Sequence, residues 1–240
     1  DHMLTILEKS IQEPLMPVLR AHNGFAAIID SDKVDQRLTG IMNRAQTSNL
    51  PIHSLDYSRF DLSIPMWLSN HIWDWIESRF VESTSERIQI VREAFQNMGL
   101  VVPYQVLSGL RGSVPSGSAF TNQFDSLCNA WMQLYCAHAL GNSVLDIEVM
   151  GDDGVVLHEE PISVSLLAET LKDEFGVTLN QEKGAFSTYQ IRYLQYLYDA
   201  EYRDPGTGML IPVRSGVRMA ARWIAYERIR RDWSKWLDSV

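Results

Sequence analysis

The sequence predicts an α+β fold in which helices back an antiparallel sheet. Three observations carry this prediction: a hairpin-tip pattern at Met150-Gly151-Asp152-Asp153-Gly154 between two apolar runs, a strand-like run that ends at Asp56 before a helix, and a glycine-rich loop that leads into a long amphipathic helix. Alternation with period two indicates a half-buried strand, whereas apolar residues three and four apart indicate a helix. The chain has 240 residues and is 45% hydrophobic, enough to bury one full core.

The hairpin around Gly151-Asp152-Asp153 is the first candidate site. Apolar residues alternate with polar ones from Leu145 to Val149, and a second apolar run begins at Val155. Gly and Asp tolerate the backbone angles of a tight turn. Two adjacent carboxylates repel each other unless a cation lies between them, and hard divalent ions bind carboxylate oxygens. Asp152 and Asp153 are therefore candidate metal ligands; a solvated acidic turn is the alternative for this motif alone.

A second pair of carboxylates follows a short strand-like run. Asp56 ends the run that begins at Pro51, and Asp61 lies at the turn into a helix in which Pro65 suits the first turn. Two-metal phosphoryl-transfer sites need carboxylates from separate strands to hold ions about 3.5–4 Å apart. A helix cap and a surface charge are the alternative for this pair alone.

The third element is the small-residue loop from Gly109 to Thr121 and the helix after it. Its glycines let the backbone approach a ligand closely. Thr121, Asp125 and Asn129 are four residues apart and point the same way, so they can contact one edge of a ligand. A solvated helix face is the alternative. The predicted apolar stripe of this helix contains Phe120, Phe124, Leu127, Trp131, Leu134 and Tyr135.

The remaining elements are bounded by caps, prolines and glycines. A first helix is predicted over Leu4–Gln12, because Pro14 and Pro17 should prevent it from continuing. A second is predicted over Ser31–Ala45, with Ser31 as its N-cap. Further predictions are helices over 84–98 and 163–175, a strand over Leu100–Val106, strands near 177–197, a turn over Asp204–Gly208, and a C-terminal helix.

In this order, the three elements resemble the palm of viral RNA-dependent RNA polymerases. Asp56 and Asp61 match motif A, Ser116 through Asn129 match motif B, and Gly151-Asp152-Asp153 matches motif C. The amino-acid sequences of these motifs are most similar to those of partitiviruses and picobirnaviruses. Asp125 stands where many positive-strand polymerases carry Asn. Downstream, Leu167–Phe175 and Lys183 resemble motif D, and Tyr193–Leu197 resembles the motif E hairpin.

The resemblance implies an RNA-directed RNA polymerase that uses two Mg²⁺ (or Mn²⁺) ions. It implies a metal site of Asp56, Asp152 and Asp153, with Lys183 protonating the leaving pyrophosphate. Asp61, Thr121 and Asp125 would sense the ribose 2′-hydroxyl. The implied nucleotide-binding set is Asp61, Ser116, Gly117, Thr121, Asp125 and Asn129, in which Ser116 and Gly117 let the loop move with the template.

The resemblance also divides the chain. Residues 1–50 would be partial fingers, 51–200 the palm with motifs A to E, and 201–240 the start of a thumb. With only about fifty residues before Asp56, we expect a palm-centred fragment that polymerises poorly alone. A reverse transcriptase and a catalytically silent palm that serves as a scaffold or binding module are the alternatives. A polar Asp61 with Thr121 favours RNA building blocks, and the complete carboxylate set argues against a silent palm.

Charge and composition bound the partners. The net charge is −9; residues 214–240 hold seven basic and three acidic residues, a net of +4, so residues 1–213 carry −13. The basic end would contact RNA backbone or serve as an amphipathic packing helix. Expected partners are RNA template and product and nucleoside triphosphates, with a capsid protein as a further candidate.

No apolar run approaches the length of a membrane span. The resemblance implies a location in the host cytoplasm, including the virion interior. Cys128 and Cys136 lie too far apart on one helix to form a disulfide.

Overall fold

A four-stranded antiparallel sheet lies at the centre of the fold. In the computed structural model, which describes residues 2–97, 99–102, 104–107, 114–181, 184–217 and 219, its strands are β1 (Ile52–Leu55), β5 (Val144–Met150), β6 (Asp153–His158) and β8 (Ala185–Ser187). Their order is β5-β6-β1-β8. Leu55 lies opposite Gly154, and Met150 lies opposite Asp153. The ends of β1 and of the β5–β6 hairpin therefore meet at one edge of the sheet.

Seven α-helices and seven further strands surround or extend this sheet within the described residues. The helices are α1 (His2–Ala21), α2 (Ser31–Ser48), α3 (Phe60–Ser63), α4 (Met66–Glu77), α5 (Ser85–Gln96), α6 (Thr121–Ala139) and α7 (Val164–Phe175). The other strands are β2 (Tyr57–Ser58), β3 (Leu100–Val102), β4 (Gln105–Leu107), β7 (Thr178–Leu179), β9 (Gln190–Tyr193), β10 (Tyr196–Asp199) and β11 (Val213–Arg214). The predicted α+β class, an antiparallel sheet backed by helices, is confirmed.

The two faces of the sheet belong to different apolar clusters. Along β6, Val156 packs into the cluster formed with α4, α6 and α7, whereas Val155 and Leu157 pack into the cluster formed with α2 and β9–β10. This alternation follows from the period-two geometry of a strand. Because both faces are covered, the sheet holds the ends of its strands in fixed positions.

The first helix is longer than its two prolines predict. Helix α1 runs from His2 to Ala21 with Pro14 and Pro17 inside it, so the predicted end near Gln12 is wrong. A proline in a helix interior costs about 3 kcal/mol. The apolar stripe of α1 is fully buried, and each such side chain contributes about 1.5–3 kcal/mol. Burial of that stripe, which comprises Ile11, Leu15 and Leu19, offsets the two prolines.

Other boundaries also differ from the predictions. The N-cap of α2 is Asp30, whose side chain accepts a hydrogen bond from the Lys33 amide, and Ser31 is the first helical residue. The predicted strand over Leu100–Val106 is a hairpin of β3 and β4, with Tyr104 in the left-handed region. The helices over 84–98 and 163–175 are confirmed as α5 and α7.

The C-terminal prediction is only partly within the described residues. Arg214 lies in β11, where its guanidinium is 4.5 Å from the centre of the Tyr196 ring, and not in a helix. Residues 220–240, which hold most of the predicted basic helix, lie outside the described residues.

The turn over Asp204–Gly208 is confirmed by three hydrogen bonds to the Asp204 carboxylate. Cys128 and Cys136 are buried and unbridged, as predicted. Across the part of the chain that the structure describes, no helix is long and apolar enough to cross a membrane.

Two buried histidines join β1 to β6. The Nδ1 atoms of His53 and His158 lie 3.1 Å apart, His53 Nε2 is 3.0 Å from the Ile162 carbonyl oxygen, and each residue is 2% exposed. Burial lowers the pKa of His53 to about 4, and burial together with the neighbouring His53 lowers the pKa of His158 to about 4. Both rings are therefore neutral in the folded protein near pH 7.

We expect the free energy of unfolding to fall as the pH is lowered from about 6.5 towards 4. In that window the unfolded chain takes up protons that the folded imidazoles refuse, so stability is lost at up to about 1.4 kcal/mol per pH unit for each ring. Chemical denaturation at a series of pH values measures this slope. His158→Asn should give a shallower slope, whereas the control His138→Asn, which alters an exposed residue, should leave it unchanged. Equal slopes in all three proteins would contradict the assignment.

Candidate active site

The tip of the β5–β6 hairpin carries two of the predicted aspartates. Gly151 and Asp152 form the turn, and Gly151 has φ of +62°, the sign that a type II′ turn requires at its first central position. Asp152 lies at the tip and is the more exposed of the two, and Asp153 begins β6 and is half-buried. The hairpin predicted from the alternating sequence is therefore confirmed, with both carboxyl groups at its end.

Asp56 reaches the same edge of the sheet from β1. It directly follows Leu55, which pairs with Gly154, and its main-chain oxygen accepts a hydrogen bond of 2.7 Å from the Asn180 amide. Partial burial raises the pKa of Asp152, and the carboxylates of Asp61 and Asp56 raise it further. These charges are therefore close enough to repel one another. Among the described residues, no three His, Cys, Asp or Glu side chains form a ready-made metal-binding group.

Asp61 connects the first acidic element to the loop before α6. It lies in the first turn of α3, and its main-chain oxygen accepts a hydrogen bond of 2.7 Å from the Val114 amide. The Ser116 hydroxyl donates a hydrogen bond to the Asp61 carboxylate. Two residues that the sequence placed in different motifs are thus in direct contact.

Asp125 is a buried carboxyl group beside Asp61. It is 3% exposed, and burial raises its pKa to about 9, with additional effects from the charges of Asp61 and Asp152 and a hydrogen bond with Asp61. The Asp125 carboxyl group is therefore neutral near pH 7 and donates to the Asp61 carboxylate. Its Oδ1 atom is buried and has no hydrogen-bond partner among the described residues. A solvated helix face, the alternative for this stripe, is therefore wrong for Asp125.

The other loop residues lie nearer the surface. Ser116 and Gly117 are exposed, and the Thr121 hydroxyl donates to the main-chain oxygens of Pro115 (2.6 Å) and Ser118 (3.0 Å). Thr121 therefore closes its own loop onto the start of α6. Lys183 and the glycines of residues 109–112 lie outside the described residues.

Asn129 lies directly beneath the hairpin turn and is fully buried. Its Nδ2 atom lies within hydrogen-bond distance of three main-chain oxygens, those of Gly151 (3.1 Å), Asp152 (3.3 Å) and Asp153 (3.3 Å). The Tyr57 hydroxyl donates to Asn129 Oδ1 at 3.0 Å. The Asn129 amide therefore links the hairpin turn to Tyr57.

Sequence reasoning missed several residues that hold these segments in place. Gln133 donates to the Tyr57 hydroxyl at 2.6 Å, and the Gly151 amide donates to the Ser126 hydroxyl at 2.8 Å. From α1, the buried Glu8 accepts hydrogen bonds from the Ser118 hydroxyl (2.7 Å) and the Ala119 amide (3.1 Å). Gln133 continues the four-residue spacing of Asp125 and Asn129, a signal in the sequence that could have identified it.

Comparison with known proteins gives one consistent family. A sequence profile described as viral RNA-dependent RNA polymerase matches residues 3–201. The genome polyprotein of Ljunganvirus 1 is 25% identical over 161 residues, which are 65% of this chain and 7% of that protein.

Solved structures agree in fold. The crystal structure of the RNA-dependent RNA polymerase of a human picobirnavirus has a TM-score of 0.84 and 21% identity, and the match covers 97% of this chain and 44% of that one. The Sicinivirus 3Dpol RNA-dependent RNA polymerase has a TM-score of 0.65 and 19% identity, with 81% and 42% coverage. The chain thus spans less than half the length of these polymerases.

Proposed function

Because the chain belongs to the viral RNA-dependent RNA polymerases, we propose that it is the palm-centred part of such an enzyme and contains its site of template-directed nucleotidyl transfer. One observation carries the proposal: Asp56, Asp61, Asp125 and Asp152 come from three separate segments and lie close together. Burial raises the pKa of Asp125 and Asp152, and the charges of neighbouring members of this group raise both further. Such a concentration of acidic groups is unfavourable unless a cation or a hydrogen-bonding substrate offsets it.

The donor set fits divalent magnesium. Asp56, Asp152 and Asp153 offer carboxylate oxygens, the hard ligands that Mg²⁺ prefers, from the ends of two paired strands. Burial and the neighbouring carboxylates of Asp61 and Asp56 raise the pKa of Asp152, and a bound cation would offset that repulsion. When bound there, two ions supply the activation of the 3′-hydroxyl and the neutralisation of the leaving pyrophosphate.

The remaining site residues would orient the incoming nucleotide. Asp61 and the neutral Asp125 are hydrogen-bonded to each other, and Asp125 Oδ1, which has no hydrogen-bond partner among the described residues, would accept from the ribose 2′-hydroxyl. Thr121 keeps the preceding loop closed on α6, so that Ser116 stays bonded to Asp61. Ser116 and Gly117 are exposed and lie where a template strand would pass. Holding the sugar and the reacting groups in one geometry removes part of the entropic barrier.

The division of the chain follows from this assignment. We assign residues 51–200 to the palm, 1–50 to part of the fingers and 201–240 to the start of the thumb. RNA template, RNA product and nucleoside triphosphates are the proposed partners, in the cytoplasm of the host. Lys183 keeps its predicted role as the acid for the pyrophosphate.

A titration with Mn²⁺ tests the metal site without requiring polymerisation. Calorimetry on the 240-residue chain should detect binding that Asp152→Asn weakens by about tenfold or more. Asp173→Asn makes the same chemical change on the exposed side of α7 and should bind as the wild type does. Absence of binding in the wild type, or equal binding in all three proteins, would overturn the proposal.

Primer extension tests whether the 240-residue chain can polymerise RNA efficiently by itself. We expect the 240-residue chain alone to extend a primed RNA far more slowly than a complete polymerase of this family, because residues 1–213 carry −13 and phosphate contacts from Lys and Arg supply most non-specific affinity for RNA. The measurement is incorporation of labelled nucleotide with Mg²⁺ at low and high salt. Turnover that matches a complete polymerase would contradict this prediction.

A further inference from the structure

We propose that Asn129, Tyr57 and Gln133 form a positioning network that sets the spacing between Asp56 and the Gly151–Asp153 turn. This inference rests on the proposed function, and it gives Asn129 a different task from nucleotide contact. All three side chains are buried, and none of them would need to touch a metal ion or the nucleotide to act. They would act through the main chain that carries the aspartates.

The geometry of Asn129 carries the first step. An amide Nδ2 has two hydrogens, and here it faces three main-chain oxygens at 3.1–3.3 Å, those of the three turn residues Gly151, Asp152 and Asp153. A methyl group at Gly154 would lie only 3.2 Å from the same Nδ2 atom, so the amide is packed against β6 as well. The main-chain oxygens of Gly151, Asp152 and Asp153 therefore all face one side chain of α6.

Tyr57 carries the second step, because it is the residue directly after Asp56. Its hydroxyl donates to Asn129 Oδ1 at 3.0 Å and accepts from Gln133 Nε2 at 2.6 Å. A continuous path of hydrogen bonds thus runs from the main chain beside Asp56 to the main chain of Asp152 and Asp153. Tyr57 and the hairpin turn are thus both hydrogen-bonded to Asn129 of α6, and this shared side chain couples the positions of the two segments.

The network also explains why polar groups occupy this buried position. A hydroxyl and two amides in a protein interior are unfavourable unless they are hydrogen-bonded to one another. Gln133 Oε1 still has no partner among the described residues, which indicates that the arrangement is not optimised for stability alone. Groups that orient metal ligands without touching the metal typically change metal affinity by 10- to 100-fold when removed.

The test compares two tyrosines that each lose one buried hydroxyl. Tyr57→Phe removes the link between Asn129 and Gln133. Tyr198→Phe is the matched control, because the Tyr198 hydroxyl donates at 3.0 Å to Asp35 on α2, on the other side of the sheet. Both variants keep the ring and its packing, so both should fold. Asn129→Asp is a further variant, in which an acceptor replaces the donor that faces the three oxygens.

Two readouts separate positioning from general stability. Calorimetry with Mn²⁺ on the 240-residue chain should give about tenfold weaker binding for Tyr57→Phe and wild-type binding for Tyr198→Phe. Hydrogen exchange without metal should be faster over residues 150–154 in Tyr57→Phe and Asn129→Asp, and unchanged there in Tyr198→Phe. Both results together support the network.

The outcomes also separate this inference from the function on which it rests. If the wild type binds Mn²⁺ and Asp152→Asn does not, but Tyr57→Phe binds and exchanges like the wild type, the network is overturned and the function stands. Equal losses of affinity in Tyr57→Phe and Tyr198→Phe would mean that any lost buried hydroxyl weakens binding through general stability. That result would overturn the network as well. A wild type that binds no Mn²⁺ overturns both proposals.

Discussion

Replacement of Asp152 by asparagine is expected to reduce nucleotide incorporation by a complete enzyme more than about a hundredfold, without unfolding the protein. Asparagine keeps the size of the side chain but removes the negative charge that would hold a divalent cation, and that contact contributes several kcal/mol to the transition state. The turn itself depends on Gly151 and on the hydrogen bonds to Asn129, which involve main-chain atoms of Asp152. The hairpin should therefore keep its shape.

The measurement is labelled-nucleotide incorporation together with thermal unfolding. Asp56→Asn should behave as Asp152→Asn does. Asp56 follows the strand that pairs with β6, and its carboxylate is close enough to Asp152 to raise the pKa of that group. The control is Asp173→Asn, in which the same change on an exposed helix face should leave activity intact. Full activity in either active-site variant would contradict the assignment of that aspartate as a metal ligand, even though the chain belongs to the polymerase family.

The hairpin was predictable because its signals are local. Alternation from Leu145 to Val149 and the turn residues Gly151 and Asp152 specify the shape through steric rules that act within a few residues. The strand–turn–helix that carries Asp56 and Asp61 is of the same kind. The order of these elements along the chain was sufficient for the family resemblance, which the family profile confirms.

What the sequence could not give depends on packing between distant segments. The length of α1 was predicted wrongly because the penalty of Pro14 and Pro17 is local, whereas the burial of Leu15 is decided by the rest of the fold. The spacing of Asp125 and Asn129 placed them on one face of α6, yet it could not say that this face is buried. Nor could the spacing show that Asn129 is hydrogen-bonded to the turn, whereas Asp125 Oδ1 has no hydrogen-bond partner among the described residues.

That distinction matters most for Asp125, which stands where many related polymerases carry asparagine. A neutral carboxyl group has one O–H donor and a remaining acceptor oxygen, so in its hydrogen bonding it resembles the amide of asparagine. Burial and the charges of Asp61 and Asp152 hold Asp125 in this neutral form near pH 7. In the proposed function its Oδ1 atom, which has no hydrogen-bond partner among the described residues, would accept from a substrate hydroxyl.

We therefore expect Asp125→Ala to lower the preference for ribonucleotides over deoxyribonucleotides by about tenfold or more, and Asp125→Asn to retain it. Alanine removes both the support of Asp61 and the acceptor for the 2′-hydroxyl, whereas asparagine supplies a donor and an acceptor of similar shape. Asp61→Ala should lower the preference as Asp125→Ala does, because Asp61 accepts the hydrogen bond that orients the pair.

The decisive quantity is the ratio of kcat/KM for a nucleoside triphosphate to that for its deoxy analogue, measured in a complete enzyme. A general loss of activity would change both values together, whereas a lost contact with the 2′-hydroxyl changes their ratio. An unchanged ratio in both alanine variants would remove Asp61 and Asp125 from sugar recognition. A ratio for Asp125→Asn as low as that for Asp125→Ala would mean that a charged carboxylate is required, because asparagine differs from the neutral acid only in the identity of its donor.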